Sequence, residues 1–165
     1  MFRSGMAAAA LFAALILPPA ANAQRDSGAY SQSSNAADPT GLWITANHNA
    51  VVDITKCGGD LCGRIVGLVR DPGTPVPTDW QGAPQCGLTI FRTAPDTDSA
   101  QEIWTGSILD PRDGSVYHAR LTLDQAHHLL LRGYVGIPLF GETQTWSRYT
   151  GPTGPECQVP SKGNN

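Results

Sequence analysis

Four cysteines, a pair of histidines, two aspartates in one turn and a Gln-x-Trp-x-Arg run are the residues of this chain with chemistry to offer. Cys57, Cys62, Cys86 and Cys157 make an even count, which in an oxidising compartment reads as two disulfides. Cys57-Gly58-Gly59-Asp60-Leu61-Cys62 resembles two strand ends around a four-residue turn, a spacing that brings Cα atoms within disulfide reach. Of the three possible pairings, 57–62 is therefore expected, leaving 86–157 to clip the C-terminal tail onto the domain. Two cysteines with four residues between them, with no second close pair and no adjacent His, are a poor zinc set. Oxidised thiols are not nucleophiles. His127-His128 would point to opposite faces of a strand and are expected solvated in a turn, not on a metal. Asp110-Pro111-Arg112-Asp113-Gly114 is a turn signal, Pro fixing φ and Gly accepting a left-handed conformation; it lacks the further oxygens of a calcium loop. No hydrolase, zinc-protease, P-loop or dinucleotide motif is present. The expectation is no catalytic residue, no metal and no cofactor.

Gln144, Trp146 and Arg148 share one face of an extended segment, and the elements that must position them are strands. In Ser115–Leu123, Tyr117, Ala119, Leu121 and Leu123 fall on one face and His118, Arg120 and Thr122 on the other. Period two with one polar face means a sheet with one wet side. Further β-like runs are Leu42–Ala46, Ala50–Lys56, Leu61–Val69, Gly87–Arg92, Gln101–Leu109, Leu129–Val135 and Glu142–Tyr149, separated by turn signals. Nothing sustains a 3.6 period. Eight antiparallel strands joined mostly by short hairpins predict an all-β, up-and-down barrel, with a two-sheet sandwich as the rival. A barrel of this size either fills with side chains or holds one small ligand. Trp43, Trp104, Tyr117 and Trp146 are the expected walls of such a site, with Gln144 and Arg148 as polar anchors.

Lys and Arg number 11 against 14 Asp and Glu, a net charge of -3, and the basic residues lie scattered, which argues against nucleic acid. Residues 1–23 read as an export leader: Arg3, then an apolar run from Met6 to Leu17 too short to span a bilayer, then Ala21-Asn22-Ala23 as the cleavage pattern. Residues 24–40 form a flexible lead-in, 41–149 the barrel and 150–165 a Gly/Pro-rich tail, ordered only if Cys157 holds it. The mature chain is expected in the periplasm or secreted, without stable membrane insertion.

Gly41-Leu42-Trp43 on the first strand and Arg148 on the last resemble the lipocalin-type signature, in which an Arg from the final strand covers the Trp of G-x-W at the barrel base. Cys57-Gly-Gly-Asp-Leu-Cys62-Gly-Arg-Ile-Val66, Ile108-Leu-Asp-Pro-Arg-Asp-Gly114-x-x-Tyr117, Leu131-Arg-Gly-Tyr134 and Gly141-x-x-Gln144-Thr-Trp146-x-Arg148 are similar to an exported bacterial family called domain of unknown function 2147. The resemblance covers about Gly41 to Tyr149. It implies a signal peptide followed by a small lipocalin-like barrel with no established activity. The resulting expectation is an exported, non-enzymatic protein that binds a small apolar or acidic ligand. The alternative is a filled barrel that docks a protein partner.

Overall fold

The computed structural model describes residues 38–161. The leader 1–23, its cleavage site and residues 24–37 of the lead-in lie outside the described residues, as do residues 162–165. Nine strands follow in order: β1 (Gly41–Ile44), β2 (Ala50–Cys57), β3 (Asp60–Arg70), β4 (Thr89–Pro95), β5 (Trp104–Leu109), β6 (Val116–Leu123), β7 (Leu129–Tyr134), β8 (Glu142–Arg148) and β9 (Gln158–Pro160). Each of the first seven pairs antiparallel with its successor, and β8 returns to β1 through Trp43↔Arg148 and Ile44↔Ser147. The sheet is thus a closed eight-strand, up-and-down barrel; consecutive pairing throughout leaves no place for the two-sheet alternative. Helical structure in this region is limited to single 3-10 turns at Pro138–Phe140 and Pro155–Cys157.

The period-two pattern sets which side chains enter the barrel. Trp43, Val52, Ile54, Leu61, Ile65, Phe91, Ala119, Leu121, Leu129, Leu131 and Trp146 are buried together. Two β-bulges adjust the barrel wall. The register between β3 and β4 shifts from Gly63↔Phe91 to Arg64↔Thr89, so consecutive Ile90 and Phe91 are both buried. Gly63 makes room for this, since a Cβ there would lie 2.1 Å from the Phe91 ring. The other shift, between Val51 and Val52, turns Val51 out of the central cluster.

Both expected disulfides form, Cys57–Cys62 across the β2–β3 hairpin and Cys86–Cys157 from the β3–β4 connection to the tail, each with Cα atoms 5.8 Å apart. The tail does more than the sequence reading assigned to it. β9 lies parallel to the far end of β3, with Leu68↔Gln158 and Val69↔Val159 in register. Buried Val159 covers Gly67 and Val51 from outside the barrel.

Strand approach is closest at Gly106 on β5, where an added Cβ would stand 2.1 Å from the Arg92 carbonyl oxygen and 2.8 Å from the Thr93 Cα. Backbone cannot swing aside as a side chain can. Gly106→Ala should therefore destabilise the barrel by about 1–3 kcal/mol, read as a lowered urea midpoint; an unchanged midpoint would show that β4 and β5 separate freely.

Candidate functional site

The interior of the barrel is divided along its axis. At one end lie the chain's entry into β1, the β2–β3 turn and the β4–β5 and β6–β7 connections. Trp43, fully buried, donates from Nε1 to the Pro39 carbonyl at 2.8 Å, and the Arg148 guanidinium sits 3.9 Å above its ring centroid. Arg148 also donates to the carbonyl oxygens of Thr40 and Asp38. The stack is a cation–π contact between the first and last strands. Trp104, opposite Leu121, packs partly buried against the core. This end is closed.

At the other end the β1–β2 hairpin, the β3–β4 connection and the β5–β6 and β7–β8 turns surround a cavity of about 650 Å³. Val52, Ile65, Leu68, Ile90, Ile108 and Leu131 line it with apolar surface, and Trp146 contributes to the lining from the buried layer. The polar groups on its walls are Thr45, Asn47, Asn49, Gln85, Tyr117, Glu142 and Gln144, together with Asp110 and Arg112. Gln144 Oε1 accepts from Trp146 Nε1 at 3.0 Å, which turns the other end of the Gln144 carboxamide, a donor, away from that bond. A Cβ at Gly133, which also lines the cavity, would meet nothing within 4 Å.

Of the six residues expected on a ligand's walls, Tyr117, Gln144 and Trp146 line this cavity; Trp43, Trp104 and Arg148 do not. All six share the barrel's inner side, but they occupy different levels of it. Sequence reasoning missed Glu142, which has the parity of Gln144 and one more step along β8 would have found it. It also missed Pro77 and Gln85, brought to the rim by the Pro-rich connection, for which no periodic signal exists. That connection is held in place: Gln85 donates from Nε2 to the Thr78 carbonyl at 2.9 Å, and the Trp80 amide donates to Pro111 at 3.0 Å.

The charged groups of the rim are largely satisfied within it. Arg112 donates to Asp110 from Nε at 3.0 Å and Nη2 at 2.6 Å. The Arg112 side-chain hydrogen bonds hold the Asp110 carboxyl below its usual range against the opposing effect of burial, and Asp110 in turn raises Arg112. Asp113 accepts from the Ser115 amide at 2.8 Å, so both aspartates serve the turn. His128 lies in the β6–β7 connection with Nδ1 3.0 Å from Asp124 Oδ2, and the His128 amide hydrogen bond is the main cause lowering Asp124. No group of three or more potential metal ligands occurs among the described residues.

A small closed β-barrel, plugged by a Trp–Arg pair at one end and hollow at the other, is of the lipocalin-like type. The sequence model described as an uncharacterised protein conserved in bacteria, domain of unknown function 2147, matches residues 41–148, which is the whole barrel. The chain belongs to that family. No curated protein and no solved structure matches it.

Proposed function

We propose that the hollow end of the barrel binds a small, partly apolar molecule, and that the protein is a binding protein, not an enzyme. The observation that carries this reading is the cavity of about 650 Å³, within the size range of small-molecule sites and lined by apolar side chains interspersed with hydrogen-bonding groups. The ligand chemistry it favours is neutral and hydrogen-bonding. Arg148 is spent on Trp43 and two carbonyls, Arg112 on Asp110, and Glu142 adds a carboxylate to the wall. An acid entering here would lose hydration without gaining a free cation. We further propose a periplasmic or secreted location, supported by the two disulfides and by the lack of any described helix long and apolar enough to cross a membrane.

Octanamide and octanoate, equal in size, test the reading by titration against tryptophan emission, because Trp146 lines the cavity. Saturable binding is expected, with the amide bound roughly tenfold tighter than the acid. Gly133→Leu should abolish it by filling open space while moving the unfolding free energy by less than about 1 kcal/mol. Failure of both compounds to bind, or binding unaffected by Gly133→Leu, would end this reading and favour the protein-docking alternative.

A further inference from the structure

Among the described residues, the large apolar side chains left exposed are Trp80, Val116, Val135, Ile137, Leu139 and Phe140. All six lie on or beside the connections that surround the hollow end. Trp80 comes from the β3–β4 connection, Val116 from the start of β6, and the other four from the β7–β8 turn. The closed end is built differently. Its turns are Gly58-Gly59, the acidic, polar stretch of residues 96–102, and Asp124-Gln125-Ala126-His127-His128. The exposed large apolar side chains are therefore gathered at one end of the barrel, among its polar turns.

The most prominent part of the rim is the β7–β8 turn. Gly133 to Gly141 contains no charged residue, and Leu139 and Phe140 are 75% and 77% exposed. These side chains are held out, not left loose. Arg132 donates from Nε to the Pro138 carbonyl at 2.7 Å, from Nη2 to that of Leu139 at 3.3 Å and from Nη1 to Thr143 Oγ1 at 2.8 Å. Pro138 opens the 3-10 turn that presents them. Trp80 is fixed as well: its ring packs on Gly114, where an added Cβ would lie 2.9 Å from it.

We propose that this rim docks on the surface of a lipid bilayer, with Ile137, Leu139 and Phe140 inserted at the headgroup–acyl boundary. Three observations favour lipid over a protein groove. The apolar groups come from three separate connections, which suits a broad surface that needs no shape match. The β7–β8 turn is uncharged, and its Leu and Phe, like Trp80, are residue types that bury well in the interface. The rim also surrounds the mouth of the cavity, so docking turns that opening toward lipid. The rim has no basic cluster, since Arg112 and Arg132 are bonded within their own turns. Binding should then be apolar in origin and indifferent to anionic lipid. The proposal stands on the rim alone and holds whether or not the cavity binds octanamide.

Co-sedimentation tests it, with protein purified after export and processing so that the apolar leader makes no contribution. The vesicles are phosphatidylcholine alone or phosphatidylcholine with about a quarter phosphatidylglycerol, and the variant is Leu139→Ser with Phe140→Ser. The wild type should partition onto both vesicles within about twofold of each other, and the variant should lose at least about fivefold on both, two buried apolar side chains having been removed. Because both side chains are exposed, the variant's thermal melt should match the wild type's. Absence of wild-type partition, equal partition of wild type and variant, or binding confined to the anionic vesicles would overturn the proposal. Self-association that the variant abolishes, without vesicle binding, would overturn it too and assign the rim to a second copy of the chain.

Discussion

Trp43→Ala should cost about 3–5 kcal/mol of stability, the usual range for emptying a buried aromatic site. Against a typical total of roughly 5–15 kcal/mol, that is enough to leave much of the chain unfolded at ordinary temperature. The size follows from three losses at once. The ring is fully buried, so its removal leaves a void at the closed end of the barrel. The Pro39 carbonyl loses its indole donor. The Arg148 guanidinium loses the face it stacks on, so the β1–β8 seam loses a side-chain tie. Arg148→Ala removes only the last of these and its two carbonyl bonds, and should cost about 1–3 kcal/mol. Urea denaturation of both single variants and the double gives the comparison. Because the two side chains touch, the double variant should fall short of the sum. Strict additivity, or a Trp43→Ala cost below that of Arg148→Ala, would mean the seam is held by its strand pairing alone.

The largest covalent effect should come from Cys86→Ser with Cys157→Ser. This bond spans 71 residues of sequence, and the chain-entropy account of cross-links gives about 4 kcal/mol for a loop of that size. Cys57–Cys62, separated by 5 residues, closes a tight hairpin and should contribute about 2 kcal/mol on the same account. The longer bond also holds structure that has few other ties. β9 is three residues long, pairs along one edge of β3 and buries one side chain, Val159. Arg70 adds an ion pair with Glu156 at 3.6 Å, on a carboxylate largely in water. Without the bond, β9 should detach, and protease should cut between Tyr149 and Gln158 while the barrel stays intact. A tail that remains protected in the double variant, or equal losses from opening either disulfide, would contradict this account.

The barrel was legible because period-two segments separated by Gly, Pro and Asn turns leave few other arrangements. The Trp43–Arg148 closure was legible because a G-x-W near one end and an Arg near the other are a recurrent solution to the same seam. The Cys57–Cys62 pair followed from hairpin spacing. β9 was not legible: Gln158-Val159-Pro160 holds one strong apolar residue and a proline, and its partner Leu68–Arg70 lies far earlier in the chain, a relation no local window contains. The site was half legible. Parity said that Gln144, Trp146 and Arg148 face inward together, but parity carries no information about height along the barrel axis. Height is set by strand stagger and by the two bulges, and it is height that places Gln144 on the cavity wall and Arg148 against the plug.

The way the sheet closes also dictates when it can close. Seven of its eight seams join strands adjacent in the chain and can form as hairpins once each turn is made. The eighth waits for β8, since Arg148 and Thr40 are 108 residues apart. Long-range pairings of this kind form slowly. Until then β1 and β8 are bare edges whose unpaired amides and carbonyls invite strands from other molecules. A newly made chain thus passes through an open, self-adhesive ribbon, and its yield is decided by how fast Arg148 reaches Trp43 relative to how often two ribbons meet.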